Sequence, residues 1–558
     1  MEHSHNEPAP SVRIIPLGGF DRMGMNMTLI ECGETIIAID CGVSFPPNNL
    51  PGIDTAIPDI GYLRKNRDKL KGIVVTHGHE DHIGAIPYLI GELGTAIYGT
   101  PLTIALVENK LAAAGIRQVK TRVIRQGSTI VLGGLRVEFI RTSHSIPDAV
   151  MLAIYTPAGI LVHTGDFKVD LTPATGDAID LRRLGMLGAK GVLAVLSDST
   201  NALRKGHSPS EKDVALAMDQ LFNQNRGKRF LIAVFASNMD RVQLIIRLAE
   251  KYGRRVLLQG STMLEIFRAA GRLGYLDIPD GIIIDENDVR DYADNELICI
   301  MAGSHGEPIT YMRRIAEGTH DLIRIKEGDM VLFSSIAVPG SEQSFSDTIN
   351  LLEERGAHVV FQDIHATGHA CEEELRLIYS ILSPTYAIPA HGEYRYRKAG
   401  AAIAGSIGSV REENIFLIKD GDVLELTAGH GEVIDHIPLK EVLVDGLGVG
   451  DVDRSLLSER AQMSDSGVVM IELCFEARTG RMLSDVNILS RGFVNEQAGS
   501  DIPEMLAARI RQEADRLIAQ DIAPERREDL IREAAESWIL ENTGLKPVVL
   551  VSILKVML

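Results

Sequence analysis

No apolar run in this 558-residue chain reaches the roughly 18 residues that a membrane crossing needs, and Met1 to Pro10 is polar. A soluble protein without a secretion signal is expected. Cysteine is sparse and scattered: Cys32, Cys41, Cys299, Cys371 and Cys474 show no Cys-x-x-Cys spacing, which argues against a disulfide framework and fits buried thiols in a reducing compartment, the cytoplasm. Positive charge is in deficit. A formal net charge of −19 argues against gripping nucleic acid by overall basicity, so any such contact must be local, with bound cations and a few arginines setting the potential inside a cleft. There is no internal repeat and no long low-complexity tract. What remains is an ordinary globular composition, 45% hydrophobic, over a length too great for one core. At about 100 to 200 residues per domain it implies three or four units.

Short apolar strands alternate with turns in the N-terminal part: Val12 to Ile15, Met27 to Glu31, Ile36 to Ile39, Ile73 to Thr76, Val137 to Ile140 and Ile160 to His163. Helical patterns at Pro87 to Leu93 and Leu102 to Ala114 fall between them, which predicts sheets flanked by helices. At Ser208-Pro209-Ser210-Glu211 the texture changes. Ser208 is expected to cap a helix, with Pro209 in its first turn and Glu211 closing the box. The α/β unit starting there has apolar runs Phe230 to Phe235, Leu297 to Met301 and Met330 to Phe333, each followed by a small polar loop of the kind that binds ligands at strand ends. Gly446 to Asp451 resembles a glycine phosphate loop only superficially and reads as a flexible connection. Beyond it, Val468 to Phe475 and Met482 to Ile488 predict a hairpin around Thr479-Gly480, followed by helices opening at Asp501 and Pro524 and an apolar strand Val548 to Val556.

The chemistry concentrates in residues 77 to 82, His-Gly-His-Glu-Asp-His. His77 and His79, separated only by Gly78, can turn toward one ion while Asp81 and His82 face a neighbouring one. Two ions need more ligands than one turn supplies. His144, Asp166 and His391 each follow a strand-like run and complete the candidate set, and Asp40 is expected to orient a ligand rather than bind metal. His3 and His5 belong to an N-terminal tail, His163 points into the sheet, and Asp54 and Asp445 read as surface acids rather than a calcium site.

The hexad together with His144, Asp166 and His391 resembles the ligand set of the metallo-β-lactamase superfamily, whose fold is a four-layer αβ/βα sandwich. The resemblance implies that His77, His79 and His144 hold one divalent ion, that Asp81, His82 and His391 hold a second, and that Asp166 bridges them, with zinc the first expectation and manganese the second. Asp166 and His391 lie 225 positions apart, and an insertion there is similar to the β-CASP nucleases. Asp198 matches their first motif, His369 the second and His391 the third. Within that group the chain resembles the ribonuclease J family over nearly its full length, most clearly in Phe235 to Asn238, Gly303 to Pro308, His365 to His369 and Asp445 to Asp451. It departs from the family's usual serine at Thr367, where a hydroxyl is kept, and from its usual glutamine at His305.

That resemblance implies an α/β metallo-β-lactamase domain in two parts, 1–207 and 358–448, around a β-CASP domain at 208–357, then a linker at 449–466 and a β-β-α-α-β domain at 467–558. It implies a metal-dependent 5′-to-3′ exoribonuclease that prefers 5′-monophosphorylated RNA, with endonuclease activity as a secondary property, acting in RNA maturation and decay through metal-activated hydroxide. The catalytic residues it implies are His369, to protonate the departing oxygen or stabilise charge there, and Asp198, to orient neighbouring ligands, with the proton carrier left open among Asp81, Asp198 and His369. Ser237, Asn238, His365, Ala366, Thr367, Gly368 and His369 line a pocket for the terminal phosphate. The expected partners are RNA, further copies of the chain joined through the C-terminal domain as a dimer or tetramer, and other RNA-decay proteins, with no membrane. A DNA-directed β-CASP nuclease, a small ester or thioester hydrolase and an RNA-binding scaffold are the competing readings.

Overall fold

The computed structural model describes residues 9–44, 50–173, 176–302, 309–335, 342–362, 364–446, 448–478, 481–494, 501–520 and 522–557. His3, His5, the segment Gly303 to Pro308 with His305, and the turn Thr479-Gly480 lie outside the described residues. Two sheets face each other. The first runs, in spatial order, Gly431–His436, Asp422–Leu426, Val12–Gly18, Met27–Cys32, Thr35–Ile39, Leu70–Val74, Ile97–Gly99, Thr121–Val123. The second runs Tyr386–Ala390, Ala194–Asp198, Gly159–His163, Val150–Thr156, Leu135–Arg141, Thr129–Leu132.

Their central strands, β-branched and leucine-rich, are buried on both faces, as strands covered on both sides must be, while the edge strands Gly431–His436 and Thr121–Val123 are mostly exposed. Ile14, Ile30, Ile37 and Val74 of the first sheet share one core with Val137, Phe139, Leu152, Leu196 and Ile388 of the second. On the other face of the second sheet, Val162, Val195 and Ala387 pack with Leu184, Leu375, Tyr379 and Ile403 from helices Leu181–Lys190, Glu372–Leu382 and Tyr394–Ser406. Truncating a fully buried member such as Ile388 to alanine costs about 2–5 kcal/mol. Helices Ile86–Leu93 and Pro101–Ala113 accompany the first sheet, giving helix, sheet, sheet and helix layers.

The insert is a fully parallel sheet ordered Ile283–Ile284, Arg255–Gln259, Leu297–Met301, Phe230–Ala233, Met330–Phe333, His358–Val360, with helices between successive strands. Parallel pairing places every strand's C-terminal end on one edge, so Ser237, Asn238, Ser334 and Ser335 share that edge. The first helix of the unit starts later than its sequence suggests. Ser210, not Ser208, is the cap of helix Glu211–Gln224, accepting from Lys212 N at 3.2 Å. Tertiary contacts decide this: Glu374 accepts from Ser208 N and Oγ, while Asp170 accepts from Ser210 Oγ and Glu211 N.

Residues Leu443–Leu558, with Pro46–Thr55, form a second compact unit. Its sheet is ordered Asn487–Arg491, Val468–Glu476, Val548–Val556, and the central strand alternates buried and half-buried residues along its whole length. Val469, Ile471 and Leu473 pack on Leu506, Ile510, Ile531 and Ile539 of helices Ile502–Ala519 and Pro524–Thr543. Two features differ from expectation. The span read as a linker contains helix Arg454–Ser466, capped by Asp453, and the strand expected at Met482 to Ile488 joins the ladder only from Asn487, Met482 meeting Phe475 in an isolated bridge. Gly448 and Val449 pair back onto Asp445 and Val444 in a short antiparallel ladder, unlike a phosphate loop, before Asp453 caps the next helix. Asp54 accepts from Gly446 N, and Asp445 pairs with Arg460.

Candidate metal centre

Every residue of the candidate set leaves the end of a strand. Asp40 follows Thr35–Ile39, the hexad follows Leu70–Val74, His144 follows Leu135–Arg141, Asp166 follows Gly159–His163, Asp198 ends Ala194–Asp198 and His391 follows Tyr386–Ala390. Asp40 and His391 both adopt left-handed backbone, φ 62° and 48°, a costly conformation for residues with a side chain and one that clusters where surroundings over-determine it.

The side chains converge into overlapping groups whose donor atoms lie within 4.8 Å of one another: His77, His79, His144 and Asp166; Asp81, His82, Asp166 and His391; and Asp166, Asp198 and His369. Asp166 belongs to all three. In the first group, His79 Nδ1 lies 3.1 Å from both His77 Nε2 and His144 Nε2, with Asp166 Oδ2 at 3.7 and 3.9 Å from the latter two. In the second, Asp81 Oδ2 lies 3.4 Å from His82 Nε2 and from His391 Nε2, and Asp166 Oδ2 lies 3.3 Å from His82 Nε2.

The nitrogens facing inward are fixed by what their partners on the other side of each ring accept. His82 donates through Nδ1 to Asp40 at 2.8 Å, His77 through Nδ1 to the Thr76 hydroxyl, which donates in turn to Asp40, and His144 through Nδ1 to the Gly368 carbonyl at 2.7 Å. The Nε2 atoms of the neutral His77 and His144 are left as lone-pair donors, and that of His82 would become one when an ion displaces its proton. Burial keeps His77 and His144 well below the usual imidazole range and His79 at about 4, so all three are neutral. The second group differs. Burial also opposes charge on His82 and His391, but carboxylates outweigh it, raising His82 well above its ordinary value and His391 to about 10. Burial likewise opposes ionisation of Asp81, yet His82 and His391 hold it well below the carboxylate range.

This donor set fits divalent cations. Three neutral imidazole nitrogens crowd together while His79 Nε2 is buried without a partner among the described residues, and the second group gathers carboxylate charge that protonated histidines balance where an ion would do so. The mixed nitrogen and oxygen donors match divalent transition-metal preferences.

Beside this cluster, His369 donates through Nδ1 to Asp198 Oδ2 at 2.8 Å, and Asp198 Oδ1 accepts from Thr200 N and Oγ1. Burial pushes His369 down, but Asp198 and Asp166 outweigh it and raise its pKa. The residues expected to bind a terminal phosphate are spread around the edge of the insert. Asn238 caps helix Met239–Lys251 through Oδ1, Ser237 is half-buried just before it, and His365 Nδ1 faces the Ser334 carbonyl at 3.2 Å. Ala366 and Thr367 are buried, with Thr367 Oγ1 accepting from Asn201 and from His369 N. Gly368 lies so close to His144 that an added Cβ would meet its ring at 2.7 Å. His163, half-buried, accepts from Gly165 N and belongs to none of the three groups.

Sequence reasoning missed several contributors. Thr76 relays His77 to Asp40, Asn201 fixes Thr367, and Asn26 reaches Asp81 and His82. Lys168, Glu211 and Arg241 form a fully buried ionic bridge that begins two residues past Asp166 and ends in the insert. A single serine, asparagine or arginine has no local pattern to announce it. The only available signal was the run Gly18-Gly19 to Gly24-Met25-Asn26, a turn too glycine-rich for a plain strand connection.

The fold and the shared histidine and aspartate cluster define a metallo-β-lactamase protein with a β-CASP insert. The family described as "Metallo-beta-lactamase superfamily" matches residues 22–202, "Ribonuclease J, beta-CASP domain" matches 227–352 and "Ribonuclease J C-terminal domain" matches 455–556. The chain is 37% identical to ribonuclease J2 of Bacillus subtilis, over 98% of this chain and 99% of that one. It is 36% identical to ribonuclease J of Thermus thermophilus, over 99% and 96%. The chain belongs to the ribonuclease J family. A crystal structure described as a protein of unknown function from Enterococcus faecalis V583 shares the fold at a TM-score of 0.52 and 15% identity, over 75% of this chain and 100% of that one. Among the described residues no helix is long and apolar enough to cross a membrane.

Proposed function

We propose that this ribonuclease binds two divalent ions, zinc in the first instance and manganese in the second, and degrades 5′-monophosphorylated RNA from its 5′ end, with endonucleolytic cutting as a secondary activity. The observation that carries this reading is the pair of four-residue donor groups sharing Asp166. His77, His79 and His144 would hold one ion and Asp81, His82 and His391 the other, with Asp166 common to both groups. Bound there, the ions would lower the pKa of water and offset the charge that gathers on the phosphodiester oxygens.

His369 supplies the proton. Its Nδ1 hydrogen is committed to Asp198, so the proton on Nε2 is the one delivered to the departing 3′ oxygen, and Asp198 and Asp166 favour the charged ring by raising its pKa. The end of the RNA is read by a pocket for its terminal phosphate, formed by Ser237, Asn238 and His365 to His369, whose hydroxyl, amide and backbone donors suit a phosphate. A span of one nucleotide between pocket and ions gives stepwise release. The boundaries 1–207, 208–357 and 358–448 describe the catalytic half, and the domain at 467–558 joins copies into a dimer or tetramer in the cytoplasm.

The test is parallel digestion of 5′-monophosphorylated, 5′-hydroxyl and 5′-triphosphorylated RNA, with matched DNA, after metal removal and restoration with zinc or manganese. Release of mononucleotides from the monophosphorylated RNA is expected. Equal cleavage of all three ends, or internal cuts alone, refutes the end-reading pocket, and preference for DNA refutes the substrate.

A further inference from the structure

We infer that Asn26 is a positioning residue of the second metal group, holding Asp81 so that the second ion binds tightly. The side-chain nitrogen of Asn26 lies 3.0 Å from the Asp81 carbonyl, 3.2 Å from Asp81 Oδ2, 3.1 Å from His82 Nε2 and 3.4 Å from His391 Nε2. One amide thus touches all three residues of that group other than the shared Asp166. The amide grips Asp81 through both its carbonyl and its carboxylate and lies beside the inward nitrogens of His82 and His391, the atoms that face a cation.

The backbone is shaped to deliver this side chain. Asn26 N also donates to the Asp81 carbonyl, and Gly42 N donates to Asn26 O. Met25, immediately before, is held at φ 57°, with its N–H on the Val43 carbonyl. Glycines vacate the space around it: an added Cβ at Gly19 would meet Asn26 Oδ1 at 2.4 Å, one at Gly24 would meet the Val43 carbonyl at 2.8 Å, and one at Gly42 would meet the Asp81 carbonyl at 1.6 Å. A loop this tightly fitted against Asp81 fixes the carboxylate before an ion arrives, which is where pre-organisation strengthens binding. A neutral amide does so without competing for the charge that attracts the ion; a lysine in its place would.

This inference rests on the two-ion reading. Manganese is titrated into the chelator-stripped full chain, following stoichiometry by equilibrium dialysis and the coupled-pair signal by electron paramagnetic resonance. Wild type, Asn26→Ala, Asp81→Ala and the double variant are compared. Asn26→Ala is expected to keep first-ion affinity and lose about 10- to 100-fold in second-ion affinity, the usual cost of an outer partner, with no further loss in the Asp81→Ala background. If Asn26→Ala disturbs the circular dichroism spectrum, Asn26→Ser keeps a shorter donor and is expected to show a smaller loss confined to the second ion. Unchanged second-ion affinity, or an equal fall in both, overturns the role of Asn26 while wild type still binds two. A wild type that binds one ion overturns the two-ion reading itself.

Discussion

Glu211→Gln tests the bridge between the metal-bearing loop and the insert. Glu211 lies 3.1 Å from Lys168 Nζ and 2.9 Å from Arg241 Nη2, and all three side chains are at most 3% exposed. Burial alone would raise the carboxyl pKa. Arg241 and Lys168 outweigh it and depress it from 4.5 to about 2. At about 1.4 kcal/mol per pH unit, that shift is worth about 3 kcal/mol of stability at neutral pH. Because the folded-state value is the lower one, the contribution is complete above about 4.5 and disappears as the pH falls through about 2. Glutamine removes it and leaves Arg241 buried without a carboxylate partner and Lys168 with Asp170 alone, for a total loss of about 3–5 kcal/mol. Urea unfolding of the metal-free protein, followed by circular dichroism from pH 2 to 7, checks this. The gap between wild type and variant should be widest at neutral pH and close toward pH 2. A gap under about 0.5 kcal/mol at pH 7, or one that persists undiminished in acid, refutes the reasoning.

His369→Ala should lower the single-turnover rate on RNA by about 10²- to 10⁴-fold while metal analysis returns the wild-type content, since His369 donates to Asp198 and not to the hexad. Asp40→Ala should weaken metal retention by about 10- to 100-fold in chelator competition, because one carboxylate orients His82 directly and His77 through Thr76. Gly42→Ala should abolish metal binding, its Cβ having no room against Asp81, whereas Gly91→Ala, with nothing within 4 Å and a place in helix Ile86–Leu93, should gain about 0.5–1 kcal/mol in thermal unfolding.

The readable parts of the site are those that repeat within a few residues. Three histidines and an aspartate in one hexad announce themselves, and His144, Asp166 and His391 are visible as polar residues ending apolar runs. That they meet depends on two facing sheets whose strand order no spacing encodes. Asn26 and Asn201 were illegible because a lone asparagine beside a strand end reads as a turn residue. Lys168, Glu211 and Arg241 were illegible because charged residues default to the surface unless paired, and here the partners lie 43 and 30 positions apart. The cap at Ser210 shows the same limit: Ser208 fits the local rule better, yet Glu374, 166 positions away, claims it.

Asp166 and His391, joined at 2.5 Å, are made 225 residues apart. A chain leaving the ribosome therefore carries Asp166 long before Gly368, which orients His144, and His391, which closes the second donor group, have been made. The whole insert is synthesised before the cluster can assemble.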